Sequence, residues 1–312
     1  MSSNFETQLF LSRPFLTRNQ VKRAQQNTIG DYRGYNSKRV AIVRFLSDIC
    51  THLRFPRRTL ETAVYFYLRY HLFKNFETES CYVVATSCLV LSCKEVETIK
   101  KVNDICTVSL QLRSLVKVNN EALEGLKKRV FQMELKVLEA CSFDYRINDG
   151  VHIGDYIIKY GKLLGLGYDV CKLAWIVAYD VLKTELLLIV PQHVISMACI
   201  QLACELVHTP IQLANRYEEF SMDPPMCNEA YFELLDFYIN SFDTCDLKDV
   251  SSEVSLEIFM DLKKKAGPEQ GLQEPTAKDI DQDKYLTVSR SSSVRERRYV
   301  LSQDLLNEEL AD

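Results

Sequence analysis

The chain has 312 residues, 47% apolar and 26% charged, with a formal net charge of −4. That length and apolar content suffice for two compact domains, each with its own core, and the negative balance argues against a protein that coats nucleic acid through phosphate contacts. With only 10 glycines and 8 prolines, leucine-rich runs of helical period and no alternating segments between turn pairs, the expected fold class is all-α.

Positions 1–40 carry seven Lys or Arg against Glu6 and Asp31, a local basic surplus suited to a solvated lead-in or to an acidic partner. Within them Thr17 is placed to cap a helix reaching about Asn27, which GDYRGYN then breaks. From Ser37 to Leu53 the residues Val40, Val43, Leu46 and Ile49 keep helical spacing, and FPRRT leads into an aromatic-rich helix over Leu60 to Phe73. Thr78 to Ile99, TESCYVVATSCLVLSCKEVETI, is apolar nearly all round and then abruptly charged. Such a helix is stable only when other helices surround it, so it reads as the centre of a bundle whose charged end, Lys94, Glu95 and Glu97, lies where the bundle opens. A short helix around Val102 to Leu110 and a long amphipathic one from Glu121 to Ala140 follow, and SFDYRIND closes a first domain.

A second copy of the rhythm begins at Gly150: Val151 to Leu164, Tyr168 to Thr184, Gln192 to Val207, a short Ile211 to Ala214, and Asn228 to Phe242. Ala85, Cys88, Leu91 and Cys93 recur at one constant offset as Ser196, Cys199, Leu202 and Cys204, but Lys94 becomes Glu205. Glu233 precedes Phe242 by the same interval that separates Glu134 from Phe143. Beyond Asp243 the pattern predicts a helix over Val254 to Lys265, a linker, and an amphipathic piece from Glu296 to Leu310. A tail that keeps Val300, Leu301, Leu305, Leu306 and Leu310 is expected to dock on the body of the protein or on a partner.

Eleven cysteines, set inside apolar runs instead of CxxC pairs, read as reduced core residues. Neither a signal peptide nor an apolar run long enough to cross a membrane is seen, which suits the nucleus or the cytosol. The five histidines are scattered, GKLLGLG follows a helix and reads as a C-cap and turn, and no Walker, GxSxG or kinase motif occurs. Catalytic, cofactor-binding and metal-binding residues are therefore expected to be absent, leaving an interaction protein.

Two five-helix domains, the first with a central helix ending in lysine, resemble cyclins. ATSCLVLSCKEVE is similar to the cyclin helix that ends in that lysine, and VFQMELKVLEACSFD to the fifth helix with its glutamate and closing Phe-Asp. FLTRNQ and YDVLKTELLLIVPQHVISMACIQLACEL resemble the transcriptional cyclins, among them the cyclin subunits of fungal RNA polymerase II C-terminal-domain kinases. The resemblance implies two tandem cyclin boxes, 37–147 and 148–245, after an N-terminal segment (1–36) and before a partly helical tail (246–312). It implies a non-catalytic, nuclear regulatory subunit that activates a cyclin-dependent kinase acting on the polymerase heptad repeats, with a third subunit in the complex. Kinase contacts fall on Lys94 and Glu134, with Leu91, Leu138 and Phe143 as apolar neighbours. Glu95 departs from the apolar residue usual after the lysine, and Lys38 and Phe45 replace the Met and Trp of the substrate-docking patch of cell-cycle cyclins. The alternative is a cyclin-fold transcription factor of the TFIIB type, which the missing zinc-ribbon cysteines and the negative charge disfavour.

Overall fold

The structure, a computed structural model, describes residues 15–76, 79–113, 119–141, 143, 152–211, 216–250 and 254–267. Among these residues the fold is all-helical. The helices are α1 (Arg18–Thr28), α2 (Tyr32–Leu53), α3 (Arg57–His71), α4 (Cys81–Glu95), α5 (Val102–Arg113), α6 (Asn120–Ala140), α7 (Ile153–Leu163), α8 (Tyr168–Val181), α9 (Leu186–Ile189), α10 (Gln192–Leu206), α11 (Pro224–Ser241), α12 (Leu247–Val250) and α13 (Leu256–Ala266). The expected pieces at Ile211 to Ala214 and Glu296 to Leu310 lie largely or wholly outside the described residues.

Helix α4 is central, as its composition requires. Every residue from Val83 to Cys93 is buried, and α2, α3, α5 and α6 all pack on it. Its small hydroxyls bond inward: Thr86 Oγ1 donates to or accepts from Ser109 at 2.9 Å, and Ser87 Oγ donates to the Val130 carbonyl of α6 at 3.0 Å. A buried hydroxyl left unmatched would cost about 1–3 kcal/mol, so these bonds are what let polar residues occupy the packed core. Helix α10 plays the same part among α7, α8 and α11, with Ser196 Oγ reaching the Ile153 carbonyl at 3.0 Å.

The sequence echo is structural. Helices α3 and α8 start at Arg57 and Tyr168, α4 and α10 at Cys81 and Gln192, the same offset in both cases. Both central helices end in the same turn, with Glu97 and His208 left-handed at φ 53° and 54° and the Thr98 and Thr209 amides donating to the Cys93 and Cys204 carbonyls at 2.8 Å. The two halves share one continuous hydrophobic core.

Several boundaries differ from the sequence expectation for local reasons. The GDYRGYN break shrinks to Ile29–Asp31, because the Asp31 side chain accepts from the Arg33 amide at 3.1 Å and starts α2 at Tyr32 instead of Ser37. Proline at the first turn likewise lets α11 begin at Pro224 instead of Asn228. Thr17 caps α1 as expected, and Gln20 completes a capping box that the sequence reading did not include. GKLLGLG forms the expected cap: Gly165 takes φ +65° and the Leu166 amide donates to the Gly161 carbonyl at 2.9 Å.

His71 lies in a cage of the Tyr35, Tyr67, Tyr70 and Phe76 rings, with centroids 4.7 to 6.1 Å away. Burial lowers its pKa from 6.5 to about 4, the Lys74 backbone opposing weakly. A histidine buried neutral takes up a proton on unfolding, so its contribution is fully present above pH 6.5 and drains away as the pH falls towards 4. The limit is roughly 3 kcal/mol, from about 1.36 kcal/mol per pKa unit. Thermal midpoints are expected to drop between pH 7 and 5, with a shallower drop in His71→Phe. Equal slopes for parent and variant would remove His71 from the account.

Candidate functional site: the Lys94–Glu134 face

Lys94 is the last cation of α4 and Glu134 lies in the second half of α6. Packing of α4 against α6 brings them together, and the Lys94 ammonium donates to Glu134 Oε1. The lysine side chain is 55% exposed and the carboxylate 14%. One end of the pair is thus held against the body while the other faces solvent.

The apolar neighbours divide. Leu91, one turn before Lys94, is a core residue at 6% exposure and offers at most an edge. Leu138, one turn after Glu134, is half-buried. Phe143 is 50% exposed; its φ of 59° and the bond from its amide to the Leu138 carbonyl at 2.9 Å reverse the chain at the end of α6 and leave the ring outside the core. A left-handed non-glycine residue is uncommon and costs energy that the capping bond must offset.

Sequence reading missed part of this face. Phe131 and Leu135 on α6, and Ile99 in the loop after α4, are exposed, Ile99 at 95%. Phe131, Leu135 and Leu138 follow helical spacing, so they extend the Glu134 side of α6 as an apolar stripe. The available signal was that α6 carries more large apolar residues than its core face of Leu126, Val130, Met133 and Val137 needs.

In the second half the echoed side chains are engaged by the chain itself. Glu205, in the place of Lys94, accepts from the Tyr231 hydroxyl and from Gln201 Nε2, the latter at 3.3 Å. Glu233, the counterpart of Glu134, meets Arg18 of α1 at 2.9 Å, and burial pushes its carboxyl above the usual range against the pull of Arg18. Phe242, the counterpart of Phe143, opens a short 3₁₀ turn and sits 6.1 Å from Phe259 of α13. Two elements without a counterpart on the first face, α1 through Arg18 and α13 through Phe259, therefore contact the equivalent surface.

The same contacts revise the reading of the basic lead-in. Arg18 bonds Glu229 at 3.0 Å as well as Glu233, and Arg39 bonds Glu185 at 2.8 Å. For these two the acidic partner is the second half of the same chain. Helix α13 likewise belongs to the body: Phe259 is fully buried and stacks on Tyr238 at 4.4 Å, 8° from parallel. All cysteines but Cys81 and Cys171 are buried, and burial lifts the Cys93 and Cys204 thiols to about 12 and about 11.

Comparison with known proteins agrees with this architecture. The family model for the cyclin N-terminal domain matches residues 13–146. The CTD kinase subunit beta of Saccharomyces cerevisiae is 56% identical over 99% of this chain and 97% of that protein. The CTD kinase subunit beta of Schizosaccharomyces pombe is 29% identical over 66% of this chain and 62% of its own length, and human cyclin-K is 29% identical over 62% of this chain and 35% of its own. One chain of a crystal structure of the yeast RNA Pol II CTD kinase CTDK-1 complex superposes with a TM-score of 0.89 at 56% identity, covering 96% of this chain and 97% of that one. With a central helix that recurs in the second half, a lysine–glutamate pair on the first copy only, and a relative matched along nearly its whole length, the chain belongs to the cyclins, in the group of CTD kinase beta subunits.

Proposed function

We propose that this protein is the regulatory subunit of a cyclin-dependent kinase that phosphorylates the C-terminal heptad repeats of RNA polymerase II, acting in the nucleus with a third subunit in the complex. The 56% identity along both chains to a CTD kinase beta subunit carries the reading. The kinase-binding surface is assigned to Lys94 and Glu134 with Leu138 and Phe143, extended by Phe131, Leu135 and Ile99, and with the edge of Leu91 beneath. Two boxes, 37–147 and 148–245, form the frame that presents it.

The mechanism is a population shift. A kinase of this class is active when the glutamate of its C-helix pairs with the ATP-site lysine. A subunit that binds only that arrangement pulls the kinase towards it, by as much as its affinities for the two states differ. The Lys94–Glu134 pair suits this role because it is already formed in the free subunit, so little side-chain entropy is lost on docking. The exposed apolar residues around it supply area whose burial contributes roughly 25 cal/mol per Å² before the costs of association.

Purification of the tagged chain from its native cells is expected to bring down a protein kinase that phosphorylates synthetic heptad repeats. Recovery of no kinase, or of one indifferent to the repeats, would overturn the assignment.

A further inference from the structure

We propose that the groove between α2 and the end of α11 is a docking site for the acidic end of this same chain, residues 301–312. The groove has a volume of about 1170 Å³ and lies at the far end of α4 from Lys94. Tyr82 lines it, and Lys94 stands more than three helical turns further along, about 18 Å at roughly 1.5 Å of rise per residue. An occupant there leaves the Lys94–Glu134 face open.

Its lining combines apolar surface with unspent positive charge. Phe45, Phe242 and Tyr82 line it, and Leu112 and Leu256 stand exposed at its edge. Arg44 donates to the Thr244 carbonyl at 3.0 Å, and Arg113 lies over the Tyr82 ring at 4.7 Å. Neither guanidinium meets a carboxylate among the described residues. The lining holds two acidic side chains: Asp243 is bonded to Lys248 at 2.8 Å, and Asp48 lies one turn from Arg44 on α2. The groove therefore suits an apolar segment bearing carboxylates, which Arg44 and Arg113 can bind through charge-assisted, two-pronged hydrogen bonds.

Residues 301–312, LSQDLLNEELAD, have that chemistry. They include Asp304, Glu308, Glu309 and Asp312 and no basic residue, and they hold four leucines in two pairs one helical turn apart, Leu301 with Leu305 and Leu306 with Leu310. The connection also reaches. Leu256, at the start of α13, lines the groove, and the described body ends at Gly267, just past that helix. A chain as long as that from 267 to 301 spans roughly 30 Å as a random coil and about 110 Å extended, against about 15 Å for the length of α13. Covalent attachment makes the local concentration of the segment roughly millimolar, so a weak site is filled. The groove beside α10 is a poorer match, because Lys265 alone among Lys and Arg lines it against Glu205 and Asp261, whereas Arg39, Arg44, Arg113 and Lys183 line the first against Asp48 and Asp243.

The test uses the full-length chain with a photo-crosslinking amino acid at Leu305. A mixture of isotopically heavy and light chains separates links within one copy from links between copies. The expected result is a link within one copy to peptides containing Arg44, Tyr82, Arg113 or Phe242. Arg44→Glu with Arg113→Glu is expected to lower its yield at least fivefold, as is Asp304→Lys with Glu308→Lys, which leaves the folded body untouched. Combining the two pairs of reversals is expected to restore it. Links spread over other faces, links only between copies or only to another protein, or a yield indifferent to all four charges would each overturn the proposal.

Discussion

Lys94→Glu and Glu134→Lys, each alone, are expected to lower kinase affinity and activation at least tenfold while the thermal midpoint of the free subunit moves by no more than about 3 °C. In the free protein the pair is a half-exposed ion pair, 55% on the lysine side, and such pairs contribute about 0–1 kcal/mol. For a body of this size that is a few degrees. In the proposed contact with the kinase the same charges would lose their water, and removing one partner of a desolvated, hydrogen-bonded pair costs about 2–5 kcal/mol. A tenfold loss of affinity needs only about 1.4 kcal/mol. Lys94→Met and Glu134→Gln, which remove charge without setting like charges side by side, are expected to show the same split less strongly. Normal activation by the reversed variants, or their unfolding, would take the kinase contact away from these residues. The symmetry-related Glu205 looks like a silent control in the sequence, but it is not one in the structure. Its carboxylate accepts from the buried Tyr231 hydroxyl, whose phenol burial and Glu205 together push up. Glu205→Lys is thus expected to cost about 1–3 kcal/mol of stability with kinase affinity unchanged, and Glu205→Gln, which still accepts a bond, is the better control.

Removing the Asp180 carboxylate is expected to destabilise the fold by about 3–5 kcal/mol, because it leaves the buried Tyr238 hydroxyl and two backbone amides without an acceptor and takes from Lys183 one of its two carboxylates. Lys183 donates to Asp180 Oδ1 at 2.8 Å, to Asp246 Oδ1 at 2.7 Å and to the Thr244 carbonyl at 2.9 Å. Asp180 also accepts from the Tyr238 hydroxyl at 3.0 Å and from the Asp246 and Leu247 amides at 2.7 and 3.1 Å. Burial raises the Asp180 carboxyl above its ordinary value, and Lys183 beside it works in the opposite direction. The network pins the segment after α11 to α8, so its loss should also loosen α12. In urea the midpoint of Asp180→Ala should fall sharply. Lys183→Met added to Asp180→Leu should recover part of the loss, since an apolar pair has no charge to desolvate, although the two amides remain unmatched. A change in the single variant no larger than an ordinary surface substitution gives, about 0.5 kcal/mol, would show that water reaches the lysine and that the network is not closed.

The sequence was sufficient for whatever depends on periodicity and local chemistry. An uncharged helix from Cys81 to Cys93 has no stable place except inside a bundle, and its repetition at Gln192–Leu206 dictates a second bundle. Thr17 announces the cap of α1. Lys94 and Glu134 were legible as candidates through the resemblance and through the failure of the repeat at Glu205. Only the tertiary structure decided what the echoed side chains of each half meet. In the second half the equivalent positions, Glu205, Glu233 and Phe242, are met by Tyr231, Arg18 and Phe259, each from a different helix and Arg18 from the opposite end of the chain. No pattern along the chain encodes an ion pair between α1 and α11, because it exists only once both halves have packed. The same holds for α13. So short a helix is marginal alone, and it is held to the body because Tyr238 offers Phe259 a ring to stack on, while Leu256 and Met260 stay exposed. Burial is a property of the assembled bundle; periodicity specifies which side of a helix is apolar, and the fold alone determines what that side meets.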